Sequence, residues 1–274
     1  MTDHAGKARR FLELHHGQEP LLLPNPWDPG SARLLAWLGF QALATTSSGH
    51  AATLGRLDGA VTRSEALEHA AAIVAATELP VSADLESGFA GDPAGVAQTV
   101  RLALEAGLAG CSVEDATGDR DSPIADPGVA AERVRAAAEA AHRGRVRLVL
   151  TARAENYLYG RPDLANTISR LQAYQDAGAD VLYAPGLSDL AEIRQLVASV
   201  DRPVNVLARP GVPPVPELAA AGVARVSVGG AFAFAALGAL VEAATELRDA
   251  GTYGFWVQAG AGSEAARSAF TGSR

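Results

Sequence analysis

Eight short apolar runs alternate with longer stretches of helical pattern along this chain, and few architectures accommodate that order. The runs cover 21–25, 40–46, 80–86, 110–115, 147–153, 180–185, 203–208 and 225–230. Between most of them lie segments with apolar residues at three- and four-residue spacing, among them 64–78, 95–107, 128–144 and 163–178. Several end in Gly, which stops a helix by adopting the left-handed conformation. Strict alternation of strand and helix predicts a parallel sheet with helices packed outside it. Eight units closing on themselves make a (β/α)8 barrel; an open doubly wound sheet is the alternative. The count of eight, and the lack of a G-x-G-x-x-G turn after the first run, favour the barrel. No Ser/Gly linker divides the 274 residues, so 1–274 is read as one barrel domain. A long apolar helix follows the last run, over 231–251. The remaining tail, 252–274, contains Phe255, Trp256 and Val257, which require burial. It is expected to pack on a neighbouring subunit of a homodimer or homotetramer.

Composition narrows the partners. Hydrophobic residues make up 48% and aromatics only 5%, so aliphatic side chains and Ala must fill the core. A net charge of −8 argues against a broad nucleic-acid or anionic-membrane surface. An anionic ligand is still allowed, because a metal or an Arg can reverse the charge locally. Cys111 is the lone cysteine, so no intrachain disulfide forms, as suits a reducing cytoplasm. The first residues lack the apolar core of a signal peptide, and no uninterrupted apolar run reaches the ~18 residues of a membrane span. A cytoplasmic location is therefore expected.

In such a barrel, chemistry sits at the C-terminal ends of the strands. Side chains alternate along a strand, so Asp84 and Glu86 are expected on one face, and Ser112 and Glu114 on one face of the next. Arg153 ends the fifth run, and Asn205 lies in the seventh. Three carboxylates on adjacent strand ends repel one another unless a cation holds them. An all-oxygen set of this kind suits Mg2+ or Mn2+. Acids at the starts of surface loops are the plainer reading. Arg153 can fork onto a carboxylate. His50 is read as an acid–base group or a rim residue, and His15-His16 as solvated. Gly229-Gly230 is read as a weak phosphate cradle. Tyr157 and Tyr159 either cover the pocket or pack.

At these residues the chain resembles the isocitrate lyase/phosphoenolpyruvate mutase superfamily, including its phosphonomutase-like members. Asn25-Pro26-Trp27-Asp28 resembles its opening N-x-x-D. Thr46-Ser47-Ser48-Gly49, followed by Leu54-Gly55 and Asp58, resembles its substrate loop. Asp84-Leu85-Glu86-Ser87-Gly88-Phe89 resembles the D-x-D-T-G-Y metal motif, with Glu for the second Asp. Val113-Glu114-Asp115, Thr151-Ala152-Arg153 and Asn205-Val206 resemble its later strand ends.

The resemblance implies a Mg2+-dependent enzyme that cleaves a C–C or C–P bond next to the carbonyl of a small 2-oxo carboxylate. Asp84, Glu86 and Glu114 would hold the metal. Thr46, Ser47, Ser48, Asp84, Arg153 and Asn205 would bind substrate, with Arg153, Thr117 and Asp58 as catalytic candidates. One departure stands out. Family lyases carry K-K/R-C-G-H after the fourth strand, whose Cys donates a proton, and the mutases and phosphonopyruvate hydrolases carry a Lys there. Here the loop from Ala116 to Pro123 has neither Lys nor Cys. Cys111 lies before Glu114 and is expected to face the helix layer, so it does not substitute. An oxaloacetate-like acid undergoing hydrolysis or decarboxylation therefore fits the remaining residues better than aldol cleavage of isocitrate or methylisocitrate. The competing readings are a catalytically silent barrel that binds metal and 2-oxo acid, and a phosphate-handling barrel built on Gly229-Gly230.

Overall fold

The computed structural model describes residues 3–272. Its centre is a ring of parallel strands: β1 (Leu21–Leu23), β2 (Leu43–Ala44), β3 (Val81–Asp84), β4 (Gly110–Glu114), β5 (Val149–Arg153), β6 (Val181–Tyr183), β7 (Val204–Leu207) and β8 (Arg225–Ser227). Hydrogen-bonded neighbours follow the order β1-β8-β7-β6-β5-β4-β3-β2. Two contacts bridge the seam between β1 and β2: the Ala44 N–H donates to the Pro24 carbonyl at 3.1 Å, and the Asn25 amide donates to the Thr45 carbonyl at 2.9 Å. The sheet is thereby a nearly closed barrel rather than an open doubly wound one.

Between and beyond the strands lie α1 (His4–Leu14), α2 (Pro29–Trp37), α3 (Ser47–Thr53), α4 (Arg63–Ala76), α5 (Pro93–Glu105), α6 (Pro127–His142), α7 (Leu164–Asp176), α8 (Leu190–Ala198), α9 (Val215–Ala220), α10 (Ala231–Asp249) and α11 (Trp256–Thr271). Three of these helices start at an Asp-Pro pair. Asp28, Asp92 and Asp126 each accept a backbone N–H of the first turn, and the Pro that follows has no N–H to leave unpaired. No helix among the described residues is long and apolar enough to cross a membrane.

The core has two layers. Outward-facing strand residues such as Val113, Leu150 and Leu182, with Leu85 just past the end of β3, meet a helix layer rich in Ala, including Ala103, Ala137 and Ala141. Small helix residues bring the helices close, and each fully buried Leu contributes about 1.5–3 kcal/mol. Cys111 is completely buried in this outer layer, as its place on the strand requires. Inside the barrel, Leu21, Leu23, Ala44, Val149 and Val181 pack against Phe11 and Leu14 of α1, which plugs the N-terminal end. A Cβ on Gly110 would stand 2.5 Å from the Phe11 ring, so only glycine lets the plug enter.

The plug corrects one expectation. His15 is not solvated: it is 3% exposed and its Nδ1 lies 2.7 Å from the Phe11 carbonyl, while His16 is exposed. The cause is the apolar stripe of Ala8, Phe11 and Leu14, which takes the adjacent His15 into the barrel. At the other end of the chain, α10 and α11 leave apolar residues uncovered, with Leu240 63%, Trp256 65% and Val257 85% exposed.

Candidate active site

Arg153, the last residue of β5, organises the barrel mouth. Its Nε donates to Glu155 Oε1 at 2.8 Å, Nη1 to Asp84 Oδ1 at 2.9 Å, and Nη2 lies 3.1 Å from Glu114 Oε2. Strand pairing brings these partners together, because Glu114 is in register with Arg153, and Asp84 with Ser112 one pleat below Glu114. Burial opposes the guanidinium charge, but Glu155, Glu114 and Asp84 outweigh it and hold its pKa above the ordinary value. Burial pushes the Glu114 and Glu155 carboxyls up, and their acidic neighbours add to the shift against the pull of Arg153. Glu86 faces the same cavity, lined also by Glu114, Arg153 and Glu155. Burial, then Asp84 and Asp58, push its pKa up to about 7.

Glu86 arrives there by a route the alternation argument misses. The strand ends at Asp84 rather than at 86, and Glu86 takes a positive φ of 48°, as Phe89 does at 53°. Such backbone is costly for a residue with a side chain, of order 1–3 kcal/mol. The turn is held in place by its surroundings. The Glu86 N–H donates to Asp84 Oδ1 at 3.3 Å, Thr99 Oγ1 donates to the Gly88 carbonyl at 2.7 Å, and buried Arg133 donates to the Ser87 carbonyl. Ladder bonds continue past the strand end, from Leu85 N–H to Ser112 O and from Glu114 N–H to Glu86 O.

The other half of the mouth has different chemistry. Register places Arg153, Tyr183, Asn205 and Arg225 opposite one another on successive strands from β5 to β8. Together with Thr45, Thr46, Ser47, Ser48, Asp84 and Ser227 they line one continuous cavity. The Tyr183 ring covers Arg153, with its centroid 5.3 Å from the guanidinium carbon. Asn205 is 1% exposed, donates to Ser227 Oγ at 3.0 Å and accepts from Arg225 Nε at 2.8 Å. Thr46 caps α3 by accepting the Gly49 N–H at 3.3 Å. Ser47 and Ser48 thus occupy the first turn, where backbone N–H groups have no partner within the helix.

Asp58 stands exposed at the rim, bordering both parts of the mouth. Thr117 lines the acidic side, but its hydroxyl donates to the Ser122 carbonyl at 2.5 Å and accepts the Asp119 N–H at 3.0 Å. The loop carrying it closes on itself, through an antiparallel bridge between Ala116 and Ile124 and the Thr117 N–H to Pro123 O bond. Asp115 anchors the base: it is 2% exposed and accepts from the Glu155 N–H, Arg170 and the Tyr174 hydroxyl. Tyr159 borders the mouth, whereas Tyr157 packs against the core and donates to Glu192 at 3.1 Å. His50 does not face the cavity; its ring stacks on His69 with centroids 3.8 Å apart. Gly229 does not cradle an anion with its own N–H, because Asn25 Oδ1 accepts both the Val228 and Gly229 N–H groups, at 3.0 and 2.9 Å. Glu155, Tyr183, Arg225 and Ser227 escaped the sequence reading. Glu155 lies two residues after Arg153, and Arg225 is a charge that opens an apolar run; those were the available signals.

The donor set bears on a metal. Among the described residues, no three His, Cys, Asp or Glu side chains are gathered tightly enough to enclose a metal ion. Arg153 is the cation that draws the acids together. Yet one guanidinium faces Asp84, Glu86, Glu114 and Glu155, and the surplus is anionic oxygen. That fits Mg2+, which keeps most of its water and takes only one or two carboxylates directly.

A parallel barrel with an Arg–carboxylate cluster at its strand ends is the arrangement of a barrel enzyme with its site at that end, and the comparisons specify the family. The family described as phosphoenolpyruvate phosphomutase matches residues 11–248, and this chain belongs to it. A crystal structure of a presumed lyase/mutase from Burkholderia cenocepacia J2315 is 54% identical, with a TM-score of 0.90, covering 92% of this chain and 91% of that one. The oxaloacetate decarboxylase of Chromohalobacter salexigens is 31% identical over 87% of this chain and 84% of its own length. Oxaloacetate acetylhydrolase in complex with its product oxalate is 28% identical, with a TM-score of 0.83, covering 92% and 89% of the two chains. The motif resemblance is thereby borne out, and the chain is an enzyme of lyase/mutase type.

Proposed function

We propose that this protein is a Mg2+-dependent enzyme acting next to the carbonyl of a small, oxaloacetate-like 2-oxo carboxylate, by hydrolysis or decarboxylation rather than aldol cleavage. The observation that carries this reading is an intact Arg153–carboxylate cluster beneath a self-closed loop that offers no thiol and no amine. Arg153 has five N–H donors and uses three on Glu155, Asp84 and Glu114, so two remain for a substrate carboxylate. The Ser47 and Ser48 N–H groups, at the start of α3, receive substrate oxygens as negative charge develops on them. Asp84, Glu86 and Glu114 would hold Mg2+, largely through water. That ion would supply Lewis-acid stabilisation of negative charge next to the substrate carbonyl. Asn205, fixed between Arg225 and Ser227, borders the opposite wall. Asp58 at the rim is the group best placed to orient water, since the Thr117 proton is directed to Ser122.

Two of the similar proteins, a decarboxylase and an acetylhydrolase of oxaloacetate, support this choice, while others at about the same identity are 2-methylisocitrate lyases. Steady-state assays with Mg2+ on oxaloacetate and on methylisocitrate decide it. Oxaloacetate turnover with little methylisocitrate cleavage is expected; fast methylisocitrate cleavage would refute the reading. A positioned proton donor typically contributes 10²–10⁴-fold to such a cleavage, and this loop lacks one.

The protein is further proposed to be a homodimer or homotetramer. The uncovered apolar residues of α10 and α11 support that assembly. Deleting residues from 252 onward should lower the mass found by light scattering. An unchanged mass would sink the idea.

A further inference from the structure

Below Tyr183 the cavity reaches a second buried arginine. Arg225 faces inward from β8, is 4% exposed, and borders the cavity with Asn205 and Ser227. Three partners hold it: Nε donates to Asn205 Oδ1 at 2.8 Å, Nη2 to Thr151 Oγ1 at 3.1 Å, and Nη1 to His15 Nε2 at 3.1 Å. All three are neutral. The Phe11 carbonyl can only accept, so His15 Nδ1 carries the ring proton and Nε2 turns its lone pair to Arg225. Burial and then Arg225 pull the His15 pKa down to about 3, which keeps the ring neutral at neutral pH. Burial lowers Arg225 to about 10, which leaves it charged. Among the described residues, no carboxylate pairs with it.

A buried charge without a counter-ion is strongly disfavoured, and an apolar side chain of similar volume would fill this layer at lower cost. The charge therefore calls for a function, and its connections indicate one. Arg225 fixes the Asn205 amide by taking its oxygen, which leaves the nitrogen to donate to Ser227 Oγ at 3.0 Å. Ser227 in turn lines the cavity together with Tyr183, the residue covering Arg153. A relay of polar groups thus runs from the plug helix to the mouth.

We propose that Arg225 is a positioning and specificity-determining residue: its uncompensated charge, transmitted through Asn205, selects dianionic 2-oxo acids over monoanionic ones, and His15 of α1 holds it in place. This rests on the 2-oxo-acid reading and adds which substrate charge the site favours.

Calorimetry in the presence of Mg2+ tests it with oxalate, a dianion, and oxamate, its monoanionic isostere, on wild type, Arg225→Met, Arg225→Lys and His15→Gln. Arg225→Met is expected to lose about tenfold or more in oxalate affinity and much less in oxamate affinity. His15→Gln, whose amide oxygen still accepts from Arg225, keeps the wild-type preference. With oxaloacetate, KM should rise more than kcat falls. A folded Arg225→Met with an unchanged oxalate-to-oxamate ratio overturns the proposal and leaves the 2-oxo-acid reading standing. A wild type that binds neither anion overturns both. Should Arg225→Met fail to fold, Arg225→Lys decides: it keeps the charge but loses the fork onto Asn205, so a raised KM with the dianion preference retained supports the proposal, and an unchanged KM overturns it.

Discussion

Arg153 and Arg225 lie in one row of paired residues, yet they meet opposite surroundings. Arg153 is ringed by Asp84, Glu114 and Glu155; Arg225 touches Asn205, Thr151 and a neutral His15. The β3–β5 side of the lumen is thus over-supplied with negative charge, and the β6–β8 side with positive. A cation belongs on the first and an anionic group on the second. A small acid held on a metal satisfies both at once, which neither half achieves alone.

Removing Arg153 should break this contrast most severely. Arg153→Ala leaves buried Glu155 and part-buried Asp84 and Glu114 without their counter-ion. We expect at least ~10²-fold loss of oxaloacetate turnover and a destabilisation of about 3–5 kcal/mol. Assay and thermal melting measure the two effects separately, and a variant with wild-type turnover would dismiss Arg153 from the mechanism.

Acid should erode the Arg225 side next. The His15 pKa is lowered in the fold, to about 3, as is that of His69, to about 4, in each case chiefly by burial. The unfolded chain therefore takes up protons first. Stability contributed by the neutral rings is complete above about pH 6.5 and is lost as pH falls toward 4 and then 3. The expected loss is roughly a few kcal/mol by pH 4, because the unfolded chain there binds protons that the buried rings of the fold do not. His15→Gln should flatten that part of a denaturation-against-pH curve; an unchanged slope would exonerate His15.

A smaller effect sharpens the acidic half. Glu86→Ala is expected to weaken Mg2+ binding in the presence of oxalate by ~10-fold, as loss of a water-mediated ligand typically does. Equal calorimetric affinity in variant and wild type would count against a metal held by Asp84, Glu86 and Glu114. The smallest effect belongs to neither half. Cys111→Ala, buried in the outer layer, should cost ~1 kcal/mol of stability and leave kcat/KM unchanged.

Much of the mouth was legible because it depends on local order. Asp84, Glu114, Arg153 and Asn205 end or occupy short apolar runs, and strand alternation aims them inward. Glu86 was picked out by alternation and again by motif, but it reaches the cavity through a left-handed turn beyond the strand end at Asp84 rather than by strand alternation. His15 was misjudged because a polar residue beside an apolar stripe reads as solvated until something caps the helix face. Arg225 opens the run 225–230, which was read only as a strand ending in Gly229-Gly230.

By itself, then, the chain's order of residues determined the eight-unit barrel and the family motifs at its strand ends, because periodicity and short-range spacing are properties of consecutive residues. Which charges go unpaired was decided only in three dimensions. His15 and Arg225 are 210 positions apart, Arg225 and Thr151 are 74 apart, and Arg153 and Asp84 are 69 apart. Only closure of the barrel, with α1 beneath it, brings them into contact. The sign of the field at each point in the lumen follows from that closure, because burial strengthens each pairing and each missing one.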